Sequence, residues 1–247
     1  MTQKFKIVGI SFNIEAWAAW APGLDTREAW RAWAAAPSLP SGDATPALTE
    51  MPAMARRRVE RLGRIALQAA YGVIEDTRHP LVFASRHGDV GRSTAMLRDL
   101  ATTGGVSPTS FSLSVHNAIG ALFSIVRGDT SRLSAVSAGV DTAEAALIEA
   151  RGLLDEGAEK VVVVMYDEIP PPVHADYLDE PAAPYAWALR ITSGDAISLD
   201  CEPRDEPAPE AMTYLPRGLQ TWQFLVADRP ALRLRSAQHD WSWRRHG

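Results

Sequence analysis

Three groups of residues in this chain carry side chains that could do chemistry, and each is incomplete. Ser114, His116 and Asn117 lie close together and supply the residue types of a nucleophile, a general base and an amide donor, the parts used in acyl transfer or hydrolysis. The spacing predicts a helix here, and residues two apart on a helix point roughly 200° away from each other, so Ser114 and His116 do not make a nucleophile and base pair within it. No feature nominates a third group to orient His116. Arg86, His87 and Asp89 form a second cluster at the end of a strand pattern, where Arg86 and His87 would edge a pocket. Two ligands cannot hold a metal unaided, and Gly88 and Gly91 lack the Lys and Ser/Thr that complete a phosphate loop. Cys201 is the only cysteine. It allows neither a disulfide framework nor a cysteine zinc site within the chain, and it reads as a small core or surface residue. No cofactor is indicated.

The elements that must position these residues centre on Ser107 to Asp167. From Ser114 the apolar residues Val115, Ile119, Leu122, Phe123 and Val126 recur at helical spacing until Arg127, Gly128 and Asp129 end the run. A short strand, Arg132 to Ser137, leads into a tight elbow of small residues at Ala138 and Gly139. Asp141 with Glu144 three positions on reads as a capping box for a second helix, whose buried stripe is Ala143, Ala146, Leu147, Ala150, Leu153 and Leu154, and Gly157 stops it. Val161 to Met165 is an uninterrupted apolar run, the pattern of a parallel strand buried on both faces.

The order and spacing of VHNAIGALFSIVRGDTSRLSAVSAGVDTAEAALIEARGLLDEGAEKVVVVMYDE resemble the β-ketoacyl synthases of the thiolase superfamily. The segment SPTSFSLSVHNA, Ser107 to Ala118, is closer still to the short ketoacyl-synthase-like proteins called chain length factors, found with aryl polyene biosynthesis. The resemblance implies an α/β, three-layer half-fold with a mixed, mostly parallel five-stranded sheet of order 3-2-1-4-5 and helices on both faces, the right-handed crossover rule independently requiring the latter. It also implies that the nucleophilic Cys of the family is replaced at the elbow by Val140, or by Gly139 if the turn shifts by one. Neither can attack a thioester. The His pair of the family comes from a second half that the sequence, read to Gly247, does not reach. In the family two subunits join their sheets through the strand before the elbow, here including Ala135, with the preceding helix across the junction; Ser114, His116, Asn117, Ile119, Leu122 and Phe123 would then line an interface or the end of the partner's acyl tunnel.

Composition narrows the field. A hydrophobic fraction of 46% supports a sizeable core, and residues 1–247 are expected to form a single domain. A net charge of −5 gives no basic field to collect nucleic acid or anionic lipid. No leader-like segment or membrane span is visible, so a cytoplasmic protein is expected. Lys6 to Phe12 reads as a first strand near the sheet centre. Trp17 with Trp20, and Trp30 with Trp33, sit three apart as if on helical faces, capping the core or meeting a partner. Ala36 to Pro52 is a loop, and Met54 to Asp76 reads as the longest helix. Its Arg56, Arg57, Arg58, Arg61 and Arg64 form a solvated face or a site for an acyl carrier protein. Leu81 to Ser85 is the second strand, Arg92 to Leu100 a short helix, and Tyr185 to Thr192 an edge strand that Ala196 to Cys201 extends. Glu202 to Pro216 is an acidic excursion, and Thr221 to Val226 and Leu232 to Ser236 precede a tail, WSWRRHG.

The expected function is a non-catalytic chain length factor paired with a catalytic β-ketoacyl synthase as a heterodimer. The alternatives are a self-standing acyltransferase or thioesterase using His116, and a homodimeric acyl-binding module.

Overall fold

The computed structural model describes residues 7–204, 213–227 and 229–247. Its strands are β1 (Ile7–Trp20), β2 (Leu81–Ala84), β3 (Leu133–Val136), β4 (Lys160–Asp167), β5 (Tyr185–Pro203), β6 (Ala231–Arg235) and β7 (His239–Arg245). Its α-helices are α1 (Arg27–Ala35), α2 (Ala53–Arg56), α3 (Arg61–Tyr71), α4 (Val90–Thr103), α5 (Pro108–Ser112), α6 (Ala118–Arg127), α7 (Thr142–Asp155) and α8 (Arg217–Val226). The valine run forms β4, with Val161, Val163 and Met165 on one face and Val162, Val164 and Tyr166 on the other, each buried in a separate apolar cluster. Helices α1, α7 and α8 cover the first face and α3 and α6 the second. The α/β class and the three layers are as the resemblance implied.

The sheet itself differs from the expected one. Among the described residues it has seven strands in the order β3-β2-β4-β5-β7-β6, with β1 on the other side of β5. The pairs β2 with β3 and β2 with β4 are parallel, and the other four are antiparallel. The first strand is therefore not central: β2 takes the edge of β4 that it was expected to occupy, Leu81 opposite Val162. Strand β5 is no edge strand either. Its first half lies between β4 and β1, and its second half between β7 and β1. The bulge joining the halves is filled by Asn13, whose Oδ1 accepts from Ala196 N at 3.0 Å. A side chain at Gly194 would strike the Asn13 amide at 2.2 Å, so the bulge requires glycine there.

Three further expectations change. Trp17 and Trp20 belong to β1, where their odd and even positions place them on opposite faces, Trp17 against the first cluster and Trp20 in the second. The expected long helix from Met54 breaks after Arg56 and restarts at Arg61, which turns Val59 under α3 to fill the space beside Gly63. The expected tail is a strand, β7, whose Trp241 and Trp243 face the core. The excursion from Glu202 lies largely outside the described residues.

None of the eight tryptophans is exposed. Trp222 is the hub of their cluster, stacked on Trp187 with centroids 5.8 Å apart and edge-on to Trp17 at 5.3 Å and Trp30 at 6.0 Å. It joins α8, β5, β1 and α1. Replacing Trp222 by Ala should destabilise the fold by about 3–5 kcal/mol, read as a lower urea midpoint by far-UV circular dichroism; a change below about 1 kcal/mol would show that the cluster does not hold these elements together.

Candidate functional site

The elbow is built where β3 ends. Gly139 takes φ +59 and opens a 3-10 turn, Gly139–Asp141, that runs directly into α7. The expected capping box does not form, because both of its carboxylates are drawn inward. Thr142 does the local work instead: its Oγ1 accepts from Ala138 N at 3.0 Å and donates to Gly139 O at 2.6 Å. Val140, half-buried, lines a cavity of about 200 Å³ with Glu180, Gln220 and Arg217.

Behind the turn lies a buried polar cluster that spacing did not reveal. Asp141 Oδ2 accepts from Ser236 Oγ at 2.8 Å and from His239 Nδ1 at 3.1 Å, and Arg217 Nη2 stands 3.7 Å from Oδ1. Thr221 Oγ1 donates to Glu144 Oε1 at 2.9 Å, and Glu144 is fully buried. Ser, His and Asp thus converge, but not as a catalytic triad. Ser236 donates to the carboxylate and not to an imidazole nitrogen, so the serine-to-imidazole link of a triad is missing. The partners come from elements almost a hundred residues apart, which only the tertiary fold brings together.

A second cluster closes the carboxyl ends of β2 and β4. Asp167 accepts from Ser85 Oγ at 2.8 Å and from Arg86 N at 3.0 Å, with His87 N at 3.4 Å. Arg86, read from the sequence as a pocket edge, is a clamp here: Nη1 lies 2.8 Å from Glu180, Nη2 pairs with Asp179, and its carbonyl accepts from Ser137 Oγ at 2.8 Å. The His87 side chain is exposed. Asp89 caps α4, accepting from Arg92 N at 3.0 Å. Among the described residues no three His, Cys, Asp or Glu side chains are grouped to hold a metal ion.

The helix expected from Ser114 to Val126 starts later, as α6 at Ala118, and Ser114, His116 and Asn117 lie in the turn between α5 and α6. Ser114 Oγ donates to Phe111 O at 2.8 Å. His116 Nε2 donates to Val136 O at 3.1 Å, and its ring lies against Gly88, where φ is +64 and a side chain would meet Nδ1 at 2.8 Å. His116 thereby ties the end of β3 to the turn after β2. Phe123 is fully buried in its own chain, edge-on to Tyr71 at 5.0 Å, while Ile119 and Leu122 are partly buried beside it. Cys201 is buried in β5, where burial pushes its thiol up to about 11, so it is not a thiolate at neutral pH.

A three-layer α/β domain in which a short edge strand turns through an elbow into a buried helix is the architecture of a ketosynthase-like protein. Residues 30–244 match the family model described as β-ketoacyl synthase, N-terminal domain, and the chain belongs to that family. No curated protein matches the sequence. Among solved structures, the complex of the ketosynthase ApeO with its chain length factor ApeC from Xenorhabdus doucetiae is similar with a TM-score of 0.83 and 29% identity, over 96% of this chain and 100% of that one. The ishigamide ketosynthase/chain length factor matches at 0.61 and 18% identity, over 78% of this chain and 67% of that one. The ketosynthase AntDE with its type II acyl carrier protein AntF matches at 0.67 and 10% identity, over 95% and 99%. The latter two show the fold.

Burial pushes the Glu144 carboxyl from 4.5 up to about 7, and it pushes Asp167 from 3.8 up to about 7 against the donors that oppose it. A raised carboxyl means that the folded state keeps a proton the unfolded chain has released, so stability falls as pH rises from about 4.5 to about 7 and stays lower above. Glu144→Gln should shrink the loss of stability between pH 5 and pH 8 by at most about 3 kcal/mol, leaving the part due to Asp167. Urea titrations at the two pH values measure it, and identical losses in both proteins would mean that Glu144 does not titrate in this window.

Proposed function

We propose that this chain is a chain length factor: a non-catalytic ketosynthase-like subunit that pairs with a catalytic β-ketoacyl synthase in the making of an aryl polyene or related polyketide-like chain. The likeness to the ApeO and ApeC complex names the kind of partner. The observation that carries the assembly is the state of β3.

Among the described residues β3 pairs with β2 alone. Leu81 N donates to Arg132 O at 2.9 Å and Ser85 N to Val136 O at 3.2 Å, so the even-numbered backbone groups of β3 face β2 and those of Leu133 and Ala135 face outward. Leu133 packs against Gly120 of α6 and Ser134 meets Glu149 of α7, while Ala135 is exposed. Another strand arriving edge-on pairs with such an edge. Among the described residues β6 and β1 also have a single neighbour, yet Pro230, Arg233 and Arg235 guard β6 and three register shifts break β1, as edges that avoid pairing are guarded. Strand β3, Leu-Ser-Ala-Val, carries no such guard. Exposed Leu97 and Leu100 on α4, Phe111 on α5, Val115 in the turn and Ile125 on α6 add apolar surface for a partner to cover.

The elbow supports the lack of catalysis. With Val140 in the family's nucleophile position, and with Ser114, His116 and Ser236 each engaged elsewhere, none of these candidate side chains among the described residues is poised to take an acyl group. Incubated with acyl carrier protein thioesters, the isolated chain should show no covalent acyl adduct by intact-mass spectrometry. An adduct lost in His116→Ala would return the case to a self-standing transferase. For assembly, Ala135→Pro removes an outward donor and leaves the β2 ladder whole, so it should abolish co-purification with the synthase while the fold survives. Ser134→Pro, by contrast, should unfold this end of the sheet. A complex that withstands Ala135→Pro with unaltered affinity would place the interface elsewhere.

A further inference from the structure

The edge that receives the synthase would, on its backbone alone, receive a second copy of this chain just as well. Leu133 and Ala135 are the outward-facing residues, and two antiparallel copies of β3 can exchange hydrogen bonds between Leu133 of one and Ala135 of the other. Such a pair has its two-fold axis perpendicular to the sheet, so the face bearing α7 in one copy adjoins the same face in the other. Ser134 lies on or next to that axis. Its Oγ donates to Glu149 Oε1 at 2.6 Å, which holds an exposed carboxylate over the free edge.

We propose that Glu149 is a specificity residue that turns this edge away from a second copy and toward a synthase subunit with a neutral or basic side chain opposite. The inference rests on the reading of β3 as the assembly edge. In a self-pair the two Glu149 carboxylates face each other across the axis, and like charges juxtaposed across strands disfavour the pairing. Among the described residues the neighbouring arginines do not relieve them. Arg132 is taken by Glu156, and Arg151 is taken by Asp155 at 2.6 Å and donates to Ser11 O at 3.0 Å. Glu149 thus leaves one uncompensated negative charge per copy beside the strand. A partner without that carboxylate meets the same bare backbone and no repulsion.

The test is self-association of the full chain alone, by sedimentation velocity at low salt, for wild type, Glu149→Gln and Glu149→Lys, each with and without Ala135→Pro, with circular dichroism to confirm folding. Glu149→Gln should self-associate about tenfold more tightly than wild type, the order expected for removing one close like-charge pair at a protein surface. Wild type mixed with Glu149→Lys should form mixed dimers that neither forms alone, and Ala135→Pro should remove all of these species. Equal self-association of wild type and Glu149→Gln overturns the assignment of Glu149; if the synthase complex is then still lost in Ala135→Pro, the reading of β3 stands. Dimers of Glu149→Gln that survive Ala135→Pro use another surface and overturn it too, and if the synthase complex also survives that change, the reading of β3 falls with it.

Discussion

The strand β4 is enclosed on every side, and the rest of the molecule follows from having to enclose it. Its edges are taken by β2 and β5 and its two faces by separate apolar clusters. A run of valines satisfies this because β-branched side chains pack well on a pleated surface that is dry on both sides. Enclosing both faces demands helices on both sides of the sheet. Enclosing the carboxyl end demands that the groups gathered there be polar and paired, which is why Asp167 is met by donors from the turn after β2 and why Arg86 reaches across to Asp179 and Glu180.

The same demand shapes the elbow. The turn after β3 is tied down from behind, through Asp141 to Ser236 and His239 and through Glu144 to Thr221. These contacts fasten the β6–β7 hairpin and α8 to the start of α7. The two buried carboxylates thus serve attachment, and the raised proton affinity of Glu144 is a by-product of its being shut away from water.

Much of this plan was legible before any coordinates. The valine strand, the stripe of α7 from Ala143 to Leu154 and the strand, elbow and helix order stand where periodicity placed them. Local pattern failed where tertiary pairing overruled it. Alanines and tryptophans from Ala16 to Trp20 favour a helix in isolation, but β5 offers them a full ladder of hydrogen bonds and two apolar faces, and they extend β1. Ser193 to Asp195 looks like a turn and is a bulge wedged by Asn13. The helix expected from Ser114 starts only at Ala118, the residues before it held in a turn from which His116 reaches back to Val136, and the cluster around Asp141 had no signature at all, since its members meet only when the hairpin folds over the elbow.

The tryptophans give the molecule an optical asymmetry. Trp30, Trp33, Trp187, Trp222, Trp241 and Trp243 lie in the cluster beneath α1, α7 and α8, with Trp17 packed against it, while the cluster beneath α3 and α6 holds Trp20. Intrinsic fluorescence therefore watches one layer of the protein and is nearly blind to the other. Emission reports the docking of α8 and the hairpin, whereas loosening of α3 and α6 passes almost unseen. A fluorescence transition that coincides with the loss of helical ellipticity would mean that the two layers melt together across β4; a lag between them would resolve the sheet into two cooperative halves.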